Sequence, residues 1–120
     1  MHIYSFEKLD VWKEAIQLAV KTYKITDLYP SEEKFGLISQ MRRCSVSVSS
    51  NIAEGTARLT NKDKAHFMTI AYSSSFELLN QTIISKELDF ISEDNYKNIR
   101  LDLESITNKI NALRNHFLNS

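Results

Sequence analysis

The sequence predicts an all-α protein folded as an antiparallel up-down-up-down four-helix bundle. Apolar residues recur at three- and four-residue spacing along four segments of the 120-residue chain. Only two glycines and one proline are present, which is too few for a protein rich in hairpins or phosphate-binding loops. The segments are joined by short connections, which favour antiparallel neighbours. Residues 1–120 are therefore expected to form a single domain.

The first two helices are expected on either side of Pro30. The first runs from about Glu7 to Leu28, and the proline ends it because the residue before a proline is pushed out of helical geometry. Ser31 is expected to cap the second helix, whose first turn then carries two glutamates where the helix dipole favours negative charge. Gly55 is expected to close this helix in the left-handed conformation.

The third and fourth helices begin at residues suited to capping. Thr60, followed three residues later by Asp63, resembles a capping box and opens a helix that continues to about Asp89. Ser92 is expected to cap the last helix. At about 1.5 Å per residue, the third helix would be roughly 40 Å long.

The second helix is the most informative element, because it carries two apolar strips separated by polar residues. One strip is expected to face the core and consists of Leu37, Met41, Cys44, Val48 and Ile52. A helix with a second apolar strip carries more apolar surface than one neighbouring core can bury. The smaller strip is therefore a candidate subunit contact, and it consists of Phe35, Val46 and Ala53.

The polar stripe between the two strips predicts a hydrogen-bonded network that fixes the register of helices 2 and 3. Glu54 lies near a helix C-terminus, where the dipole opposes its charge. Glu77, midway along helix 3 among apolar neighbours, needs a donor. The expected members of the network are Gln40, Arg43, Ser47, Asn51, Glu54 and Glu77. A ligand-binding interpretation of the same stripe stays open.

Charge is balanced overall but unevenly distributed. Fifteen basic and fifteen acidic residues give a formal net charge of zero, so bulk attraction to nucleic acid or a membrane is not expected. In the predicted topology, acidic residues gather at the end with the helix 1–2 and helix 3–4 connections. The opposite, basic end carries the candidates for a phosphate-binding surface, Arg58, Lys62, Lys64, Lys109 and Arg114. Because the helix dipole disfavours cations at a helix start, their presence there favours a binding surface. A plain solvated face is the alternative.

The residue pattern of an enzyme is not found in the sequence. The histidines His2, His66 and His116 lack a partner at metal-binding spacing, and the serine runs lack a histidine at helical spacing. No Walker, Rossmann or kinase motif is present. We therefore expect no catalytic residue, no metal and no cofactor. Without an apolar run of membrane-spanning length or a signal pattern, the expected location is the cytoplasm.

Helix 2 also carries a family resemblance, through the motif Gln40-x-Arg42-Arg43-x-x-x-Ser47-x-x-x-Asn51-Ile52-Ala53-Glu54-Gly55-x-x-Arg58. Three further motifs accompany it: Phe6-x-x-Leu9-x-Val11-Trp12, Tyr29-Pro30-x-x-Glu33-x-Phe35-Gly36-Leu37 and Ala71-x-x-Ser74-x-x-Glu77-Leu78. Together they resemble the bacterial four helix bundle protein family, the 23S rRNA intervening-sequence proteins also called ribosomal-protein-like. The resemblance runs in order from Phe6 to about Leu88.

The resemblance implies an antiparallel four-helix bundle that assembles into a ring. Pentamers are the form of ring associated with the family. It also implies similarity to the accessory proteins of diversity-generating retroelements, whose basic ring surface binds RNA and a reverse transcriptase. It supplies no reaction. The expected function is a non-enzymatic homo-oligomer that contacts RNA, such as ribosomal RNA, through its basic end. The alternative is a protein-interaction scaffold that does not bind nucleic acid, and neither function involves a membrane.

Overall fold

The computed structural model describes residues 1–120 and contains four α-helices and no strand. They are α1 (Asp10–Thr26), α2 (Ser39–Thr56), α3 (Asn61–Glu87) and α4 (Glu93–Leu118). The ring of Tyr29, between α1 and α2, packs against that of Phe90, between α3 and α4, with centroids 5.7 Å apart. Both connections therefore lie at one end, as an up-down-up-down bundle requires, and the predicted fold class is confirmed. No helix is both long and apolar enough to cross a membrane.

One hydrophobic core takes side chains from all four helices. The strip of α2 predicted to face it is buried, since Met41, Cys44, Val48 and Ile52 are each at most 5% exposed. Leu37, before the start of α2, is half-buried and packs against the same core. Burying a large aliphatic side chain of this kind contributes roughly 1.5–3 kcal/mol to folding.

Hydroxyl residues take the place of large apolar ones on the buried side of α3. Ser75, Thr82 and Ser85 are fully buried, and each donates a hydrogen bond of 2.7–2.9 Å to the carbonyl four residues earlier. Bonding within their own helix satisfies these hydroxyls and keeps the helix surface small. α2 and α3 consequently approach closely, and the Oγ atoms of Ser47 and Ser74 are 2.8 Å apart across their contact.

The first two helices both begin later in the sequence than predicted. Residues Ser5–Lys8 form a 3-10 turn, so α1 begins later than Glu7. The prediction that Ser31 caps helix 2 is wrong, because that residue begins another 3-10 turn and makes no capping bond. Instead, the carboxylate of Glu33 accepts a hydrogen bond of 3.3 Å from the backbone N–H of Leu37. A π-helical turn over residues 34–38 then leads into α2.

Neither glycine takes the left-handed conformation. Gly36 has φ −112° and ψ −115°, and these angles interrupt the helical path before α2. The prediction that Gly55 closes helix 2 is also wrong, since α2 continues through it to Thr56. A Cβ added to Gly55 would stand 2.5 Å from Cε of Met68 and 2.9 Å from Cβ of Phe67. The close approach of α3, rather than a turn, therefore requires glycine at this position.

The caps predicted for the last two helices are confirmed. Oγ1 of Thr60 accepts a hydrogen bond of 3.1 Å from the N–H of Asp63, and Oγ of Ser92 accepts one of 3.1 Å from the N–H of Asn95. α3 ends just before the predicted residue, because Asp89 has φ 60°. Aspartate is among the few residues other than glycine that visit this left-handed region.

Candidate functional site

The predicted basic end brings together segments that are distant in sequence. A cleft there is lined by the N-terminal segment, the end of α2, the start of α3 and the end of α4, through Ser5, Leu9, Thr56, Lys64, Leu113, His116 and Phe117. Lys64 is thus part of its wall. Lys62 and Arg58 precede it in the first turn of α3 and in the short connection from α2. The fold therefore places these three cations around one end of the bundle.

Three cations of this end rest on aromatic rings, namely Arg58 on Phe67, Lys64 on Phe117 and Arg114 on Tyr72, at 5.0, 5.6 and 5.7 Å from the ring centroids. A cation–π contact holds a charge in position without neutralising it. Only Arg58 also has a carboxylate partner, and its distance of 3.9 Å to Asp63 makes that a weak, solvent-exposed pair. Lys62 is exposed and pairs with no carboxylate.

Lys109 differs from the other four RNA-binding candidates, because its charge is compensated within the chain. Its Nζ pairs with a carboxylate oxygen of Glu14 on α1, and Ser105 donates a further hydrogen bond of 2.6 Å to that carboxylate. The hydrogen bond with Glu14 raises the pKa of Lys109. Burial alone would raise the pKa of Glu14, but the hydrogen bonds from Lys109 and Ser105 outweigh it and lower that pKa.

Of the five RNA-binding candidates, three therefore have no carboxylate partner, namely Lys62, Lys64 and Arg114. Two of them lie in the first turn of α3, where the free backbone N–H groups of a 27-residue helix add positive potential. Anions are favoured at such a helix start. This arrangement suits a phosphate-bearing ligand.

The polar stripe on α2 contributes to two hydrogen-bonded groups. The first lies in the C-terminal half of α2. Nδ2 of Asn51 donates to the backbone oxygen and to Oγ of Ser47, at 2.8 and 3.0 Å. The Oγ of Ser47 in turn shares a hydrogen bond with Ser74 on α3. These three side chains satisfy one another at the half-buried contact between the helices.

The second group joins α2 to α3 nearer the other end of the contact. Sγ of Cys44 donates to Oε2 of Glu77 at 3.1 Å, and Nε2 of Gln81 lies 3.5 Å from both Sγ of Cys44 and Oε1 of Gln40. Burial, with the hydrogen bond to Glu77, raises the pKa of Cys44 to about 11. The thiol is therefore protonated and structural, as expected for a buried cysteine.

Two members of the predicted network do not join it. Arg43 and Glu54 are exposed, and their side chains make no hydrogen bond or ion pair within the chain. Glu54 is therefore not compensated by a neighbouring residue of the chain. The partners that the prediction missed are Cys44, Ser74 and Gln81. Gln81 follows Glu77 by four residues, on the same face of α3, and this spacing is the signal that could have found it.

The arginine that holds α2 to α1 is Arg42, which belongs to the family motif but was not among the predicted site residues. Its Nε donates to Oγ1 of Thr26 at 3.0 Å, and its Nη2 donates to the backbone oxygen of Tyr23 and to Oδ1 of Asp27 at 3.2 and 2.7 Å. The guanidinium also stacks on the ring of Tyr23, 4.7 Å from its centroid. On a helical projection Arg42 lies beside the smaller apolar strip, and no spacing within α2 signalled its contacts with α1.

The candidate subunit contacts divide into two places. Phe35 is 88% exposed and lines a cleft with Tyr23 of α1, whereas Val46 and Ala53 are not part of that cleft. Val46 is 41% exposed and Ala53 is half-buried, both on α2. The three residues therefore do not form one continuous strip with a single set of neighbours.

A groove between α1 and α4 has a volume of about 650 Å³. Eight of its eleven lining residues are polar or charged, and an ion pair of 2.6 Å joins two of them, Lys21 and Asp102. The carboxylate of Glu14, also in the lining, is paired with Lys109. No three or more histidine, cysteine, aspartate or glutamate side chains of the chain are grouped so as to hold a metal ion.

Comparison with known proteins places the chain among small helical proteins. A family model described as 23S rRNA-intervening sequence protein matches residues 7–112. Among solved structures, the chain is similar to a protein of unknown function from the S23 ribosomal protein family of Bacteroides thetaiotaomicron VPI-5482. The two are 20% identical with a TM-score of 0.78, over 87% of this chain and 97% of that one, and this likeness shows the fold alone. No curated protein matches the sequence.

Proposed function

Because the chain belongs to the 23S rRNA-intervening sequence protein family, we propose that it is a non-enzymatic homo-oligomer that contacts RNA, such as ribosomal RNA, through its basic end. The observation that carries this proposal is the set of uncompensated cations, Lys62, Lys64 and Arg114, two of which are held in place by aromatic rings. Charges that are ordered and unpaired attract phosphates at little further cost in side-chain entropy.

We propose that the chain assembles into a ring of five subunits. Such a ring would help a chain with no net charge to bind RNA. A ring repeats the basic end around its axis, so the positive potential of neighbouring subunits adds. A ring also needs two different surfaces that meet between neighbours. We propose that Val46, which is exposed, and Ala53, which is half-buried, belong to one of these surfaces.

The RNA contact is tested with the double variant Lys62→Glu, Lys64→Glu. Retention of a 23S rRNA fragment on filters is measured at low and high salt, with helical content and thermal unfolding recorded alongside. We expect the variant to fold and to lose RNA retention. Lys24→Glu with Lys97→Glu is the matched control, because both lysines are exposed and in no ion pair, and the net charge changes equally. Unchanged retention in the Lys62, Lys64 variant would contradict the proposal.

The assembly is tested by light scattering on a size-exclusion column. Five chains of 13.9 kDa give a mass of about 70 kDa, and Val46→Asp is expected to lower it because a buried carboxylate without a partner opposes association. Leu101→Asp serves as the control, since Leu101 is 63% exposed on α4. A plain monomer in the wild type refutes the oligomer. A ring that ignores RNA at every salt concentration favours the protein-scaffold alternative.

A further inference from the structure

A second cationic cleft lies at the end of the molecule opposite the basic end. It has a volume of about 390 Å³, within the range of roughly 300–1,000 Å³ typical of small-molecule sites. It forms where the π-helical turn before α2 meets α1, and it is lined by Tyr23, Lys34, Phe35, Ile38, Ser39, Arg42 and Arg43. Three of these residues are cations and none is a carboxylate, although the surrounding end is acidic in composition.

Two of the three cations in this cleft have no acidic partner. Arg42 is fixed by its hydrogen bonds to α1 and forms a rigid wall stacked on Tyr23. Arg43 is exposed and makes no hydrogen bond or ion pair, and Lys34 rests only on the ring of Phe35, 5.5 Å from its centroid. Neighbouring cations that lack a counter-charge repel each other, so an anion bound between them lowers the electrostatic energy.

The same cleft presents two aromatic surfaces to solvent. Phe35 is 88% exposed and is the most exposed aromatic side chain among the large apolar residues, while Tyr23 is 44% exposed. The bond from Leu37 to the carboxylate of Glu33 fixes the turn that carries Phe35. An exposed ring beside unpaired cations is the arrangement by which proteins stack a base and hold its phosphate.

We propose that this cleft binds a short stretch of single-stranded RNA, with a base stacked on Phe35 and adjacent phosphates held by Lys34 and Arg43. The proposal rests on the proposed function for its choice of RNA, but it places a contact at the other end of the molecule. A duplex offers no free base face to the ring. A subunit interface would bury Lys34 and Arg43 at high cost unless carboxylates met them. The cleft therefore adds preference for unpaired strands to the charge-driven binding of the basic end.

The stacking contact is tested with a short single-stranded RNA that carries one fluorescent 2-aminopurine, and with the same sequence as a duplex. Wild type is expected to prefer the single strand and to quench the fluorescence on binding. Phe35→Ala is expected to weaken single-strand binding about tenfold and to abolish the quenching, whereas Phe35→Trp keeps both. Leu101→Ala, another exposed apolar side chain, is the control and leaves binding unchanged.

The phosphate contacts are tested with Lys34→Ala plus Arg43→Ala. Each phosphate contact on a single strand contributes about 0.7 to the slope of log K against log salt, so the slope is expected to fall by about 1.4. Lys24→Ala plus Lys97→Ala removes the same charge elsewhere and is the control. An unchanged affinity and slope in the Lys34, Arg43 variant would overturn the proposal. Equal affinity of the wild type for single strand and duplex would overturn it as well.

The two ends of the molecule are separated by comparing variants. If Lys62→Glu with Lys64→Glu binds RNA normally while the cleft variants do not, the basic-end proposal fails and the cleft stands. If the cleft variants bind RNA normally while Lys62→Glu with Lys64→Glu does not, the cleft proposal alone fails. A wild type that binds no RNA refutes both proposals. Light scattering on Phe35→Ala tests whether Phe35 is instead a subunit contact. A lower mass would make Phe35 a subunit contact and overturn its role in stacking, and an unchanged mass supports that role.

Discussion

Sγ of Cys44 lies 3.1 Å from Oε2 of Glu77, so a thiol that is 5% exposed donates to a carboxylate at the surface of the neighbouring helix. The contact spans the interface between α2 and α3. It also opposes ionisation of the thiol, because a thiolate would stand beside a negative charge in a buried position. The only cysteine of the chain is therefore tied to the packing of two helices and is poorly suited to act as a nucleophile.

Stability is expected to fall at alkaline pH because of this thiol. Its pKa is raised from an ordinary 9.0 to about 11 in the folded chain, so between these values only the unfolded chain releases the proton. The stabilisation is complete below pH 9 and is lost as the pH rises towards 11. Its size is on the order of 1–2 kcal/mol, since solvent around Glu77 screens part of the effect.

The alkaline loss is measured by urea unfolding between about pH 8 and pH 10.5. Because other groups contribute to the pH dependence of stability, the informative quantity is the difference between the wild type and Cys44→Ala. The wild type should lose stability more steeply than the variant as the pH rises. Parallel pH profiles would show that Cys44 ionises alike in the folded and unfolded chains.

Gly55→Ala is expected to destabilise the bundle. The new Cβ would overlap with Met68, which is fully buried, and with Cβ of Phe67, which cannot move without its backbone. Overpacking costs about 1–3 kcal/mol, partly offset by the roughly 1 kcal/mol by which alanine favours a helix over glycine. A net loss of about 1 kcal/mol, and at most about 2 kcal/mol, should appear in urea unfolding. Ser50→Ala, at an exposed position of the same helix, should be neutral, and a stabilised Gly55→Ala would refute the close-contact explanation.

Arg42→Ala and Arg43→Ala are expected to differ although the residues are adjacent. The first removes hydrogen bonds to Thr26, Tyr23 and Asp27, and should cost about 1–3 kcal/mol. The second removes a side chain without partners, and should change stability by less than about 0.5 kcal/mol. Thermal unfolding of both variants measures the contrast. Equal losses would mean that the α1 contacts of Arg42 contribute nothing specific.

Among the cations of the basic end, Lys109→Ala is expected to affect RNA binding less than Lys62→Ala. Lys109 is already paired with Glu14, whereas Lys62 is unpaired in the first turn of α3. Filter binding at low salt compares them, and removing Lys62 should also reduce the dependence on salt. If Lys109→Ala proves the more damaging, the ion pair with Glu14 must break when RNA binds.

Local features of the bundle could be predicted from the sequence because they depend on neighbours along the chain. The caps at Thr60 and Ser92 satisfy N–H groups three residues away, and the buried strip of α2 follows from helical period alone. The first helix also ends before Pro30, although at Thr26 rather than at the expected Leu28. Each of these needs only the geometry of one helix and the transfer of its apolar face out of water.

Positions whose role depends on the neighbouring helix could not be predicted in this way. A glycine near the end of a helix can provide a left-handed turn or room for another helix, and the crossing of α3 made Gly55 the second kind. The sequence also could not tell that Arg42 meets α1 while Arg43 meets solvent. Their side chains are chemically identical, and only the arrangement of the helices around α2 distinguishes them.

The sequence by itself determined four helices, their antiparallel order, the caps that open α3 and α4 and the face of α2 that enters the core, because these features are encoded within each segment. The tertiary structure decided which polar groups pair. It paired Lys109 with Glu14, joined Cys44 to Glu77 and left Arg43 beside the exposed ring of Phe35. These choices depend on distances of a few ångströms between helices, over which hydrogen bonds form or fail, and no spacing within one helix specifies them.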